Sequence, residues 1–143
     1  MSESDRHNIL GSVANQAKLA LTPVSQFMSP DSMVLEENYT IKGTIEIFRV
    51  HKISGAPIVD FQKKILGVIS EYDLLIQAAS RPLHFQIEYK SQIIAVNPDT
   101  VLKDVLVMLY KKKLKWMPVI TKEGYVQGIV TRIDVLNFIA NNN

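Results

Sequence analysis

The sequence predicts an α/β fold made of two copies of one β-α-β-β-α unit, preceded by an N-terminal helix. Three observations predict it. Gly67-Val68-Ile69-Ser70-Glu71-Tyr72-Asp73 returns sixty-one residues later as Gly128-Ile129-Val130-Thr131-Arg132-Ile133-Asp134. The same offset carries Pro57 onto Pro118, Leu75 onto Leu136 and Ala79 onto Ala140, with no gap from Asn38 to Ala79. Each copy sets a segment of helical period beside two short β-branched runs, the mark of mixed α/β units. One unit leaves a sheet face that it cannot cover alone, which explains why the units come as a pair.

Taken in order, Ser4 to Leu21 read as a helix, with Val13, Ala17 and Leu21 on one face, Ser4 or Asp5 at its start and Pro23 beyond its end. This extension (1–23) lies outside the repeat and is expected to cover an apolar edge or join a dimer contact. The first unit (24–80) opens with a short helical turn from Val24 to Met28 and a strand at Met33-Val34-Leu35. A helix follows from about Thr40 to Lys52, apolar at Ile41, Ile45 and Phe48. Pro57 to Asp60 and Ile65 to Ser70 form strands about a turn at Phe61 to Lys63, and a helix from Glu71 to Ala79 closes the unit. The connector (81–92), with Arg81-Pro82, reads as a loop or a short irregular bridge. The second unit (93–143) repeats the order: a strand at Ile94-Ala95-Val96, a helix from about Thr100 to Lys113, strands at Pro118 to Thr121 and Val126 to Thr131, and a helix from Arg132 to Ala140. Its hairpin turn, Lys122-Glu123-Gly124, holds the glycine such turns favour.

Composition narrows the function classes. Hydrophobic residues make up 47% and charged residues 21%, enough for a real core without staples. Cysteine is absent, which removes thiolate nucleophiles, thiolate metal sites and disulfides, and suits a reducing cytoplasm. The start shows no basic region followed by an apolar core, and no apolar run is long enough for a membrane span; a cytoplasmic protein without membrane association is expected. A net charge of +2 does not imply nucleic acid, and the run Lys111-Lys112-Lys113-Leu114-Lys115 lacks a recognised reading element. His7, His51 and His84 are scattered without metal-ligand spacing, and Ser70 has no histidine at a motif distance. No metal site and no catalytic group is expected.

Ser70-x-x-Asp73 and Thr131-x-x-Asp134 have the form of helix capping boxes. A helix start also offers free amides and the positive end of a dipole, which suit a phosphate. An aspartate there is a poor phosphate ligand but a good bidentate acceptor for two hydroxyls.

Ser54-Gly55-Ala56-Pro57-Ile58-Val59-Asp60 followed by Gly67 to Leu75 resembles the cystathionine β-synthase (CBS) domain, and Trp116-Met117-Pro118-Val119-Ile120 with Gly128 to Leu136 repeats the resemblance. It covers about residues 24 to 140. It implies two CBS-type units packed as a pseudo-twofold pair, which dimerises and whose clefts bind an adenosine-containing nucleotide: AMP, ADP, ATP or S-adenosylmethionine. No cofactor is required, and the output is regulation of an unknown effector protein.

On this resemblance Asp73 and Asp134 would hold ribose, and Ser70 and Thr131 would contact ribose or phosphate. Ser54, Gly55, Ala56 and Pro57 would form the opposite wall of the first cleft, with Val34 and Ala95 packing on adenine. Lys115, Trp116, Met117 and Pro118 would wall the second cleft, where Trp116 stacks on a base or fills the space. Arg132, in place of Glu71, would join Lys115 in holding phosphate. The first cleft is then expected to favour a nucleoside or monophosphate, and the second, if open, a phosphate-rich ligand. The alternative is a structural or dimerisation module without a ligand.

Overall fold

Each copy of the repeat folds around a β-hairpin that runs straight into a helix. The computed structural model describes residues 17–30 and 32–142. The first unit holds β1 (Leu35–Glu36), α1 (Ile41–His51), β2 (Gly55–Val59), β3 (Ile65–Ser70) and α2 (Glu71–Ser80). The second holds α3 (Leu102–Lys111), β4 (Trp116–Ile120), β5 (Val126–Thr131) and α4 (Arg132–Asn141). The expected N-terminal helix lies mostly outside the described residues; Ala17 to Leu19 are helical, and a 3-10 turn spans Val24–Gln26.

The two units match in detail. The β2–β3 hairpin pairs Gly55 with Ser70, and β4–β5 pairs Trp116 with Thr131. Both hairpins shift register at the same place, between Ile58 and Val59 and between Val119 and Ile120. Lys52 and Lys113, at corresponding helix ends, share a φ of 53°. At the hairpin tips Gly124 takes φ 94° and its counterpart Lys63 takes φ 67°. The glycine tip was legible from the sequence; the lysine adopts the same left-handed region at a steric cost.

They differ at the first strand. In the first unit β1 pairs parallel with β2, Leu35 opposite Ile58, giving a three-stranded sheet in the order β1-β2-β3. In the second, the strand expected at Ile94 to Val96 is reduced to one parallel bridge from Val96 to Val119 beside the two-stranded β4-β5 sheet.

The main correction concerns which segments belong together. The chain before β1 packs on the second unit: Val24 and Phe27 are buried with Leu102, Val105, Met117, Val119 and Val130. The Phe27 ring stacks on Phe138 at 5.1 Å. Ser29 exchanges backbone hydrogen bonds with Ile129. The connector, expected to be a loop, packs on the first unit. Ile87 is buried with Leu35, Ile41, Ile58 and Ile69, and Lys90 exchanges backbone hydrogen bonds with Val68. Ser29 and Lys90 are thus equivalent positions, one per unit, and each unit is completed by the segment that precedes the other. Gly67 and Gly128 permit this closeness, since a Cβ on either would collide with the carbonyl oxygen of Lys90 or Ser29.

Candidate functional site

Both predicted capping boxes form. Ser70 Oγ accepts from the Asp73 amide at 3.1 Å and donates to Asp73 Oδ2 at 2.9 Å, starting α2. Thr131 Oγ1 accepts from the Asp134 amide at 3.0 Å, and the Thr131 amide donates to Asp134 Oδ2 at 2.9 Å, starting α4. The motif therefore has a structural task wherever it stands. What differs is what each aspartate faces.

Asp73 faces a cavity of about 620 Å³. One side comes from Val68, Ser70, Asp73 and Lys90; the other from Ile93, Ile94, Leu114, Trp116 and Pro118. The site is built across the two units. The wall expected beside Asp73, Ser54 to Pro57, is not the wall observed. Ala56 and Pro57 are wholly buried within β2, and a Cβ on Gly55 would collide with Trp116 Nε1. Trp116 therefore lies across Gly55 and presents its ring to the Asp73 cavity rather than to Asp134. Lys115 moves with it, lining a smaller recess of about 360 Å³ with Ser54, Ser70, Glu71 and Trp116. The physical reason is that β2 and β4 meet where the two units pack, so the β4 hairpin reaches the start of α2.

The remaining expected residues fall elsewhere. Ile93 and Ile94 line the Asp73 cavity in place of Ala95. Val34 lines a separate recess of about 330 Å³ with Val59, Lys63 and Val126. Met117 is wholly buried in the core of the second unit. Arg132 donates through Nε to the Leu114 carbonyl at 2.8 Å and lines a groove on the outer helical face, so it does not join Asp134. Asp134 instead receives Ser29 Oγ on both carboxylate oxygens, at 2.9 and 3.1 Å. The cations expected to serve the second cleft are thus not gathered there.

Lys90 was missed because nothing local in the irregular connector marks it. Its Nζ lies 3.3 Å from Asp73 Oδ1, the oxygen that Ser70 leaves free. The available signal was the offset itself: carried back past Asn38 to the start of the first unit, it sets Ser29 on Lys90. Beside it, burial and the hydrogen bond to Glu37 at 3.2 Å hold the Tyr89 phenol above its ordinary value of 10.0.

Among the described residues no three His, Cys, Asp or Glu side chains gather to hold a metal ion. No helix among them is long and apolar enough to cross a membrane.

A pseudo-twofold pair of hairpin–helix units, with a cavity shared between them, defines a class, and comparison with known proteins names it. The CBS domain model matches residues 24–79 and 87–141, and the chain belongs to the CBS domain family as a tandem pair. Uncharacterized protein MJ1426 of Methanocaldococcus jannaschii is 26% identical over 149 residues, covering 79% of this chain and 88% of that protein. The solved CBS domain pair of protein MJ0100, in complex with 5'-methylthioadenosine and S-adenosyl-L-methionine, is similar in fold at TM-score 0.76 and 23% identity, over 86% of this chain and 99% of that one. The structure of CBSX2 in complex with AMP is similar at TM-score 0.75 and 25% identity, over 83% and 96%.

Proposed function

We propose that this protein is a regulatory module that senses an adenosine-containing nucleotide in the Asp73 cleft and passes the signal to a partner protein. The observation that carries this reading is the cavity between the units, with a capped helix start and a carboxylate on one side and Trp116, Pro118, Ile93 and Ile94 on the other. Asp73 Oδ1 accepts ribose hydroxyls, the apolar wall takes the base, and the positive end of the α2 dipole favours phosphate. The AMP complex of CBSX2, a protein of the same fold, supports the choice of ligand. A ligand that touches both units at once stabilises their packing relative to the empty state, which is what a switch requires. The Asp134 side serves the fold instead: Ser29 occupies its carboxylate and ties the segment before β1 to α4.

The module acts as a homodimer in this reading. Tyr72, Leu75 and Ile76 on α2, with Ile133 and Leu136 on α4, leave a largely exposed apolar surface on the helical side. Leu75 and Leu136 are repeat equivalents, so the surface is self-similar and suits a second copy of this chain.

The test is thermal unfolding with AMP, ADP, ATP, S-adenosylmethionine and GTP. A ligand at a hundred times its dissociation constant adds about 2.7 kcal/mol, a shift of several degrees for a chain of this size. Adenosine compounds raise the midpoint, and Asp73→Ala abolishes the rise while Asp134→Ala, corrected for its own lower stability, keeps it. A flat panel on a folded dimer leaves the structural module as the reading.

A further inference from the structure

We propose that Lys90 makes the Asp73 cleft selective for adenosine compounds that carry an anionic phosphate, over the uncharged nucleoside and over a cationic sulfonium nucleoside. The inference rests on the nucleotide reading above and adds the residue that sets ligand charge.

The two units hold the same backbone at this point and differ in one side chain. Lys90 and Ser29 sit at equivalent positions, each fixed by a reciprocal pair of backbone hydrogen bonds to β3 or β5, each against a glycine that admits no side chain. Each reaches the aspartate of the neighbouring capping box. Ser29 does so as a neutral donor to both oxygens of Asp134. Lys90 does so as a cation, with Nζ 3.3 Å from Asp73 Oδ1. The Asp73 carboxylate is mostly covered, with 19% of its side chain exposed, whereas 70% of the Lys90 side chain is exposed. The anchor is therefore rigid and the ammonium is free to turn. Ribose hydroxyls entering the cavity compete with Lys90 for Oδ1. A bare nucleoside displaces the ammonium and leaves it without a partner. A nucleotide displaces it and supplies a phosphate in exchange, so the charge pair is replaced rather than lost. S-adenosylmethionine carries a sulfonium and an ammonium against a single carboxylate, so its net positive charge opposes Lys90. The adjoining recess holds Lys113 and Lys115 beside Glu71, a positive surplus that the Lys115 variant below controls for.

Isothermal titration of the full chain with AMP, adenosine and S-adenosylmethionine tests this, using wild type, Lys90→Gln and Lys115→Gln. Circular dichroism checks that each variant is folded. Wild type binds AMP at least about tenfold more tightly than adenosine or S-adenosylmethionine, the scale of one charge-assisted hydrogen bond. K90Q brings AMP to within about twofold of adenosine and does not weaken adenosine, while K115Q keeps the wild-type ratio. Equal affinities in wild type, an equal loss of all three ligands in K90Q, or a collapse of the ratio in K115Q alone would overturn the assignment to Lys90 and leave the nucleotide reading standing. No binding of any of the three at millimolar concentration would remove both.

Discussion

Glycine and hydroxyl positions decide most at the scale of single residues. Gly128 has the Ser29 carbonyl where its Cβ would stand, so Gly128→Ala forces a backbone apart. A cost of about 1–3 kcal/mol, the range of overpacked sites, is expected by urea denaturation. Gly124 faces open space, and its penalty comes only from φ 94°. Gly124→Ala is expected to cost about 1 kcal/mol, less than Gly128→Ala. The reverse order would mean that the Ser29 segment yields easily. Gly124 was visible in the sequence as a turn glycine and Gly128 as a member of the repeat, but the reason for Gly128 was not. A turn glycine announces itself between two strand patterns, whereas Gly128 is set by a segment a hundred residues away. Trp116 was likewise visible as a departure from the small Gly55. Which aspartate it would face depended on how the units pack, and no local pattern carries that.

At the scale of elements, the capping boxes were read correctly because every interaction in them is within three residues. Thr131→Ala removes the oxygen that accepts from the Asp134 amide, and a loss of about 1 kcal/mol is expected in the same denaturation series. Thr40→Ala, which removes the acceptor for the Gly43 amide at the start of α1, is expected to cost a similar amount. Val101 stands at the equivalent place before α3 and caps nothing with its side chain, so the repeat is imperfect where the sequence already shows a change of residue type. Strands β2 to β5 fell within two residues of their expected places, because short β-branched runs bounded by turns read clearly. The strand expected at Ile94 is represented only by a single parallel bridge from Val96 to Val119. The connector forms neither helix nor strand, as its turn residues indicate; what its local pattern did not carry is that Ile87 and Lys90 are held by partners that only the folded chain brings near.

For the whole molecule, the repeat predicted the pairing of two units but not the exchange of segments between them. Val24 and Phe27 precede β1 and complete the core of the second unit. Phe27→Ala is therefore expected to cost about 3–5 kcal/mol, as for a buried aromatic. A fragment of residues 93–143 is expected to show no cooperative unfolding by circular dichroism, and adding a peptide of residues 17–30 is expected to restore helical signal. A fragment that melts cooperatively alone would show that the exchange is dispensable. The exposed helical face makes a separate demand. Leu136→Glu places a charge where 59% of the leucine is exposed, so the monomer fold tolerates it, and sedimentation is expected to report loss of the proposed dimer.

The exchange also sets an order of events during synthesis. The segment around Val24 leaves the ribosome well before its partners on β4, β5 and α4. Until they emerge, Val24 and Phe27 have no native surface to cover them, so closing that long loop is the step on which completion of the fold waits.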